Sequence, residues 1–499
     1  LARERVVIVG AGIGGLGAAV DLCGRGMDVT VVERADRPGG KIHDTLVDGA
    51  TIDTGPTVFT MRWVFDDLFA SVGESLSDHL TLKPAETLAR HAWQDGATLD
   101  LFADPARSAD AIGQFVGAAE ARRFLAFCDR GARLYRILEA PFMKAQKPGL
   151  VDLTLAIGLH RPADQWSIMP YRSMWSELGR YFHDPRLRQL FGRYATYCGA
   201  SPFRAPATMM LIAHVEQQGV WLVEGGMQRI PQALGTLAES LGADLRYGDA
   251  CVEVLTSGGR ASGVVLASGQ RIAADAVIVN ADPAAVSQGL FGVEIAPAVR
   301  RPAPATRSLS AVTFALTADT RGAPLLRHNV CFSRDSPAEF AALAAGRLPE
   351  DPTVYLCAQD RGDTDAPPPT GPERLFAIVN APPRGDTHRL TPEETDQCRS
   401  RTFALLERCG LRIDLASSPM ATTTPADFER RFPATGGALY GRAGHGWDSA
   451  FRRPGARTRM PGLYLCGGGT HPGAGVPMAA LSGRLAASAL MQDRASTRR

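Results

Sequence analysis

Three glycines near the start of the chain, Gly10, Gly12 and Gly15, stand in the spacing GxGxxG, with Gly14 just before the last. Glycine itself does no chemistry, but in this spacing it brings backbone N–H groups up to a pyrophosphate. The first permits a tight turn, the second a close backbone approach, and the third the meeting of helix and strand. Residues 5–9, RVVIV, precede the turn as a β-branched run suited to a buried parallel strand. A helical stretch follows over residues 13–24, kept small at Gly17, Ala18 and Ala19. Its N-terminus would face phosphates with free N–H groups and its dipole. Residues 27–32 predict a second strand, with Glu33 at its end, 18 residues after Gly15. That is close to the offset of roughly 20 at which an acid accepts from a ribose hydroxyl. Strand, turn, helix and acid in this order predict a dinucleotide site.

A long chain must hold that turn in place. At 499 residues, two intertwined or sequential domains are expected. The 45% apolar and 21% charged fractions are those of an ordinary globular protein. Basic and acidic residues number 54 and 52 and are interspersed, which argues against a nucleic-acid partner. Nine cysteines include no CxxC pair, so neither a zinc site nor a disulfide framework is expected, and no metal. No apolar run reaches the ~18 to 20 residues of a membrane span.

Residues 85–220 read as mostly helical, with Phe124, Phe127, Leu134, Ile137 and Leu138 at helical spacing. The run PFMKAQKPGLVDLTLAIGLHRP, residues 141–162, is apolar and flanked by Lys144 and Lys147. Core packing and a helix lying in a bilayer interface both use such a composition. Turn signals at 257–259 and 268–269 separate alternating strands, and residues 276–279 return as a buried strand. Strand-like runs at 309–317, 353–358 and 375–380, a helix at 391–409 and a proline-rich surface loop at 363–372 fill the next block.

Five segments taken together, GAGIGGL, RPGGK, DTGPTV, GVWLVEGGMQ and LYLCGGGTHPGAGVP, resemble the bacterial phytoene-type carotenoid desaturases of the FAD-dependent amine oxidase superfamily. The resemblance spans nearly the whole chain. Within it, GPTVFTMRWVFDDLFASVG, LARHAWQDGATLDLF and LRQLFGRYATYCGASPFRAP are most like the 1-hydroxycarotenoid 3,4-desaturases, the hydroxyneurosporene or methoxyneurosporene dehydrogenases of purple phototrophic bacteria.

The resemblance implies an α/β fold with a Rossmann-like FAD-binding domain of the glutathione reductase/amine oxidase type, built from residues 1–85, 220–300 and 430–499. A helical, membrane-facing region would occupy 86–219, and a substrate-domain sheet and helix 301–429. It implies FAD held by Gly10, Gly12, Gly14 and Gly15, by Glu33 and Arg34, by Gly39, Gly40 and Lys41, and by Gly55, Pro56 and Thr57. Val252 would offer backbone contacts to the adenine. The second glycine-rich turn would then be no second nucleotide site. Gly467, Gly468, Gly475 and Val476 would pass the flavin ring of the same cofactor, so that both ends of the chain close on one FAD.

The implied reaction removes two hydrogens from a CH2–CH2 bond beside a polyene, with hydride going to the flavin and a proton lost afterwards. Asp129 and His471 are the acid–base candidates, with Arg130 and Glu139 beside them. The implied partners are a carotenoid substrate, the membrane surface, and a quinone or oxygen as electron acceptor. The implied place is cytoplasmic, attached peripherally to the photosynthetic membrane. The alternatives are a desaturase of phytoene itself, an FAD amine oxidase, and a non-enzymatic carrier of FAD or carotenoid.

Overall fold

The computed structural model describes residues 4–497 apart from 159, 169–170, 365–368 and 417; part of the proline-rich loop therefore lies outside the described residues. The β-branched run becomes the strand Arg5–Val9, at the centre of a five-stranded parallel sheet. The sheet runs in the order Asp244–Arg246, Asp28–Val32, Arg5–Val9, Ala276–Val279, Leu463–Leu465. Alternate side chains of a strand face opposite sides. Val6 and Ile8 accordingly pack under the helices, while Val7 and Val9 pack under a three-stranded antiparallel sheet formed by residues 251–273.

The helices Ile13–Gly24 and Val476–Thr497 lie against each other on one face of the parallel sheet. Their small residues set how closely they approach. A Cβ at Gly483 would fall 2.1 Å from the Gly14 carbonyl oxygen, and one at Gly17 only 3.3 Å from that of Ala480. Close packing of the first and last helices thus ties the two ends of the chain together. The last helix is 22 residues long and runs on to Thr497.

A second, seven-stranded sheet has the order Met420–Thr423, Ser310–Ala318, Glu373–Ala381, Val354–Ala358, His328–Cys331, Thr87–Ala92, Thr98–Phe102. One face carries Leu375, Ala377, Val379 and Ala381 into a core shared with the helix Pro392–Arg408. The other face turns Phe376, Ile378 and Asn380 toward an internal cavity. The last two strands fall in the stretch read as helical. Alternating buried residues, Leu99 and Leu101 among them, and a turn at Gly96 with φ +84° make a hairpin there instead. The helix Ala118–Leu138 follows and packs Phe124 and Phe127 against Phe182 and Phe191.

Candidate active site

A single cavity of about 1790 Å³ extends from the first glycine turn, between the two sheets, to the helices of residues 150–171. At one end the turn meets the RPGGK segment: Gly12 and Gly39 form a parallel bridge, and the Gly39 N–H donates to the Ala11 carbonyl at 3.0 Å. The Glu33 carboxylate accepts from the N–H groups of Ala11 (2.8 Å) and Ala35 (2.9 Å), which fixes it at the strand end on the cavity wall.

Asn280 joins the two glycine turns. It follows the strand Ala276–Val279, lines the cavity, and its Nδ2 donates to the Gly10 carbonyl at 3.1 Å. A Cβ at Gly14 would lie 2.8 Å from both the Asn280 Oδ1 and the Gly467 nitrogen. The beginning and the end of the chain are therefore in contact at this point. Behind the second turn the Arg453 guanidinium donates to the carbonyls of Gly468 (2.9 Å), Tyr440 (3.0 Å) and Arg442 (2.6 Å).

The chain matches the family of flavin containing amine oxidoreductases over residues 13–491. It belongs to that family. It is 52% identical to a hydroxyneurosporene desaturase from Rubrivivax gelatinosus, over all of this chain and 95% of that one. It is 46% identical to a second, from Cereibacter sphaeroides, with 99% of each chain covered. In fold it is similar to wild-type putrescine oxidase, at a TM-score of 0.59 and 17% identity over 99% of both chains.

As a flavin containing amine oxidoreductase the protein uses FAD, and the geometry fits that cofactor. The helix Ile13–Gly24 has no side-chain cap at Gly12, and Gly12, Ile13 and Gly14 line the cavity, so its first N–H groups are free for phosphate. Arg34, Gly39, Gly40, Lys41, Gly55, Pro56, Thr57, Gly467, Gly468, Gly475 and Val476 all line the same cavity. Gly10 is there too, with φ +102°. Gly15 is not: its missing Cβ would meet the Gly10 carbonyl at 2.1 Å, so it serves the turn's own packing. Lys41 donates to the Leu439 carbonyl and lies 5.3 Å from the centre of the Phe432 ring. Burial lowers its pKa, against the pull of Asp282.

Val252 and the four acid–base candidates are placed differently from expectation. Val252 is half exposed and off the cavity wall; Ala250 and Cys251 line it. The strand bulges between Cys251 and Glu253, which moves the inward position back by one. Asp129 lies on the exposed face of its helix, whose other face buries Phe127, Cys128 and Gly131, so it takes no part in the cavity. Arg130 donates to the Ser167 carbonyl and Glu139 pairs with Lys144 at 3.0 Å; neither lines the cavity.

His471 is buried behind the wall that its neighbour Pro472 lines. Its Nε2–H donates to the carbonyls of Phe142 (2.8 Å) and Ala145 (3.1 Å), and its ring meets Phe142 edge-on at 4.8 Å. Burial lowers its pKa to about 4. It is a neutral strut between the second glycine turn and residues 139–145.

Sequence reading also missed residues. Asn280, Arg453, Tyr355, Arg193 and Glu216 all line the cavity. For Asn280 a signal existed: a polar residue just past the carboxyl end of a parallel strand, where such sheets bind ligands.

Proposed function

We propose that the protein is an FAD-dependent desaturase of an acyclic 1-hydroxycarotenoid, acting at the C-3,4 bond. The observation that carries this reading is one cavity joining a dinucleotide cradle to an apolar chamber. Its volume of about 1790 Å³ exceeds the roughly 300–1,000 Å³ of a pocket for one small ligand. The chamber end is walled by Leu153, Ile157, Ile168, Phe332, Phe340 and Phe376 among others. The full-length identity to two hydroxyneurosporene desaturases supports the substrate class.

A saturated C–H bond offers no carbonyl or acidic proton for a side chain to attack, so alignment and exclusion of water are the protein's task. Bound FAD supplies the redox chemistry by accepting a hydride. Arg453 ties the Gly468 carbonyl of the second turn to those of Tyr440 and Arg442, which would hold the ring-side wall rigid. The sheet face of Phe376 and Ile378 would support the polyene. The second hydrogen leaves as a proton, and a quinone or oxygen takes up the electron pair.

The substrate is lipid-soluble, and the chamber's far end suits a bilayer. On the helix Leu150–Ile157, Leu153 and Ile157 are buried, while Leu150, Val151 and Leu155 are exposed. Tyr171, also at this end, is 83% exposed, and Lys144, Lys147 and Arg172 lie nearby in sequence. Among the described residues no helix is long and apolar enough to cross a membrane. We read this surface as a peripheral contact through which carotenoid enters.

Expression in cells that make neurosporene-type carotenoids and their 1-hydroxy derivatives tests the reading. The extracted pigment should absorb further to the red, because the new double bond extends conjugation. An unchanged spectrum, or new pigment only in cells limited to phytoene, would refute it.

A further inference from the structure

The chamber is not apolar throughout. One polar cluster, Arg193, Tyr194, Tyr197 and Glu216, interrupts it, and all but Tyr194 lie on the cavity wall. It is built by the short turn Arg193–Cys198 and the helix Leu211–Gln217. The Tyr194 hydroxyl donates to Glu216 Oε2 at 2.6 Å, and Arg193 Nη1 donates to the Tyr197 hydroxyl at 3.1 Å. Burial raises the pKa of Glu216, and against this Tyr197 favours its ionised form.

What sets this cluster apart is spare capacity. A guanidinium has five N–H donors, and among the described residues Arg193 commits one of its side-chain donors, to Tyr197. Its other side-chain N–H groups are not sealed away from the cavity. Two other charged side chains of the wall are occupied. Glu339 accepts from Ser333 and Thr353 through both oxygens, and Arg453 is spent on three carbonyls. Setting a charged pair against a pure hydrocarbon would cost free energy. A hydroxyl, which accepts from an N–H and donates to a carboxylate, would satisfy both partners.

The position is equally specific. The Arg193 guanidinium lies 5.6 Å from the centre of the Tyr355 ring, and the Tyr355 hydroxyl is bonded at 2.6 Å to Thr57 Oγ1. Thr57 belongs to the Gly55–Thr57 segment that the family resemblance assigns to the cofactor, and it lines the same cavity. In a 1-hydroxycarotenoid a single methylene separates the hydroxyl-bearing carbon from the C-3,4 bond. Groups that bind the hydroxyl must therefore lie beside the place of reaction, and the contacts through Tyr355 to Thr57 bring this cluster toward the segment expected to hold the cofactor.

We infer that Arg193, Tyr197 and Glu216 bind the tertiary hydroxyl of the substrate and so set both the choice of substrate and the bond that reaches the flavin. The inference rests on the hydroxycarotenoid reading above. Arg193 donates to the hydroxyl oxygen, Glu216 accepts its hydrogen, and Tyr197 holds the two in register.

The test uses the purified FAD enzyme in liposomes, with 1-hydroxyneurosporene and neurosporene as paired substrates. Wild type, Tyr197→Phe, Glu216→Gln and Arg193→Met are compared by kcat/KM, with flavin content as the control for folding. The ratio of kcat/KM for the hydroxylated over the plain substrate should fall by about 10-fold in Tyr197→Phe, the loss of one hydrogen-bonding partner. It should fall further in Glu216→Gln and Arg193→Met. If Arg193→Met does not retain flavin, Tyr197→Phe decides. An unchanged ratio in flavin-loaded variants, or equal loss on both substrates, overturns the inference. A wild type that desaturates neurosporene as well as its hydroxy derivative overturns it while leaving desaturation intact. A wild type inactive on both overturns the function and the inference with it.

Discussion

At the scale of residues, two glycines separate packing from ligand binding. A methyl group at Gly14 would collide with Asn280 and Gly467, so Gly14→Ala must push the two turns apart. We expect it to lose flavin and about 1–3 kcal/mol of stability, the usual effect of overpacking. Gly468 is different: its added Cβ would meet only the Ala474 Cα, at 3.8 Å. Gly468→Ala should therefore leave the melting temperature of the flavin-free protein unchanged and lower flavin retention alone. Equal flavin-to-protein absorbance ratios for Gly468→Ala and wild type would contradict the placement of the second turn on the cofactor. GxGxxG and Glu33 stand out in the sequence because each depends on local spacing; the second turn is assigned to the cofactor only through the family resemblance. Asn280 carries a positional signal that composition alone hides; Arg193 and Glu216 carry none, since only the folded chain brings their elements to the cavity wall. His471 and Asp129 were chosen by chemical type, which does not reveal which way a side chain faces.

At the scale of elements, the helix Leu150–Ile157 divides its apolar residues between cavity and exterior. Val151 and Leu155 are 69% and 57% exposed and do not line the cavity. Val151→Asp with Leu155→Asp should weaken sedimentation with liposomes by at least about 10-fold, equivalent to losing about 1.4 kcal/mol of apolar burial. Flavin content should be preserved; undiminished liposome binding would show that another surface makes the contact. Sequence reading fared unevenly with elements. The helix Ile13–Gly24 and the strand Ala276–Val279 match their expected limits, because caps and β-branched runs mark them locally. The hairpin of residues 87–102 was missed, although Asp95-Gly96 is a strong hairpin signal, because long helical stretches follow it.

At the scale of the whole molecule, both ends of the chain and the seven-stranded sheet enclose one cavity, an arrangement that demands extensive burial. Five histidines are caught in it. Desolvation, aided by nearby cations, lowers the pKa of His43, His445 and His471 to about 4 and of His91 and His328 to about 3. An unfolded chain would protonate them near 6.5. Between those limits the unfolded state binds more protons, so their contribution is complete above about pH 6.5 and is lost as pH falls toward 4. The melting temperature should drop steadily from pH 6.5 to 4.5; a flat or rising profile would contradict their burial as neutral groups. The family, and with it the FAD-dependent oxidoreductase fold, was legible from the sequence through the resemblance. The shared cavity was not, because it exists only after three separated segments fold around it.

The most direct measurement of the central claim is product analysis with the purified FAD protein in liposomes, given 1-hydroxyneurosporene, phytoene or putrescine in parallel. The account predicts that 1-hydroxyneurosporene alone is efficiently converted, to a product two hydrogens lighter whose absorption is shifted to the red. Preferential conversion of phytoene, or oxidation of the amine with the carotenoid left intact, would contradict it.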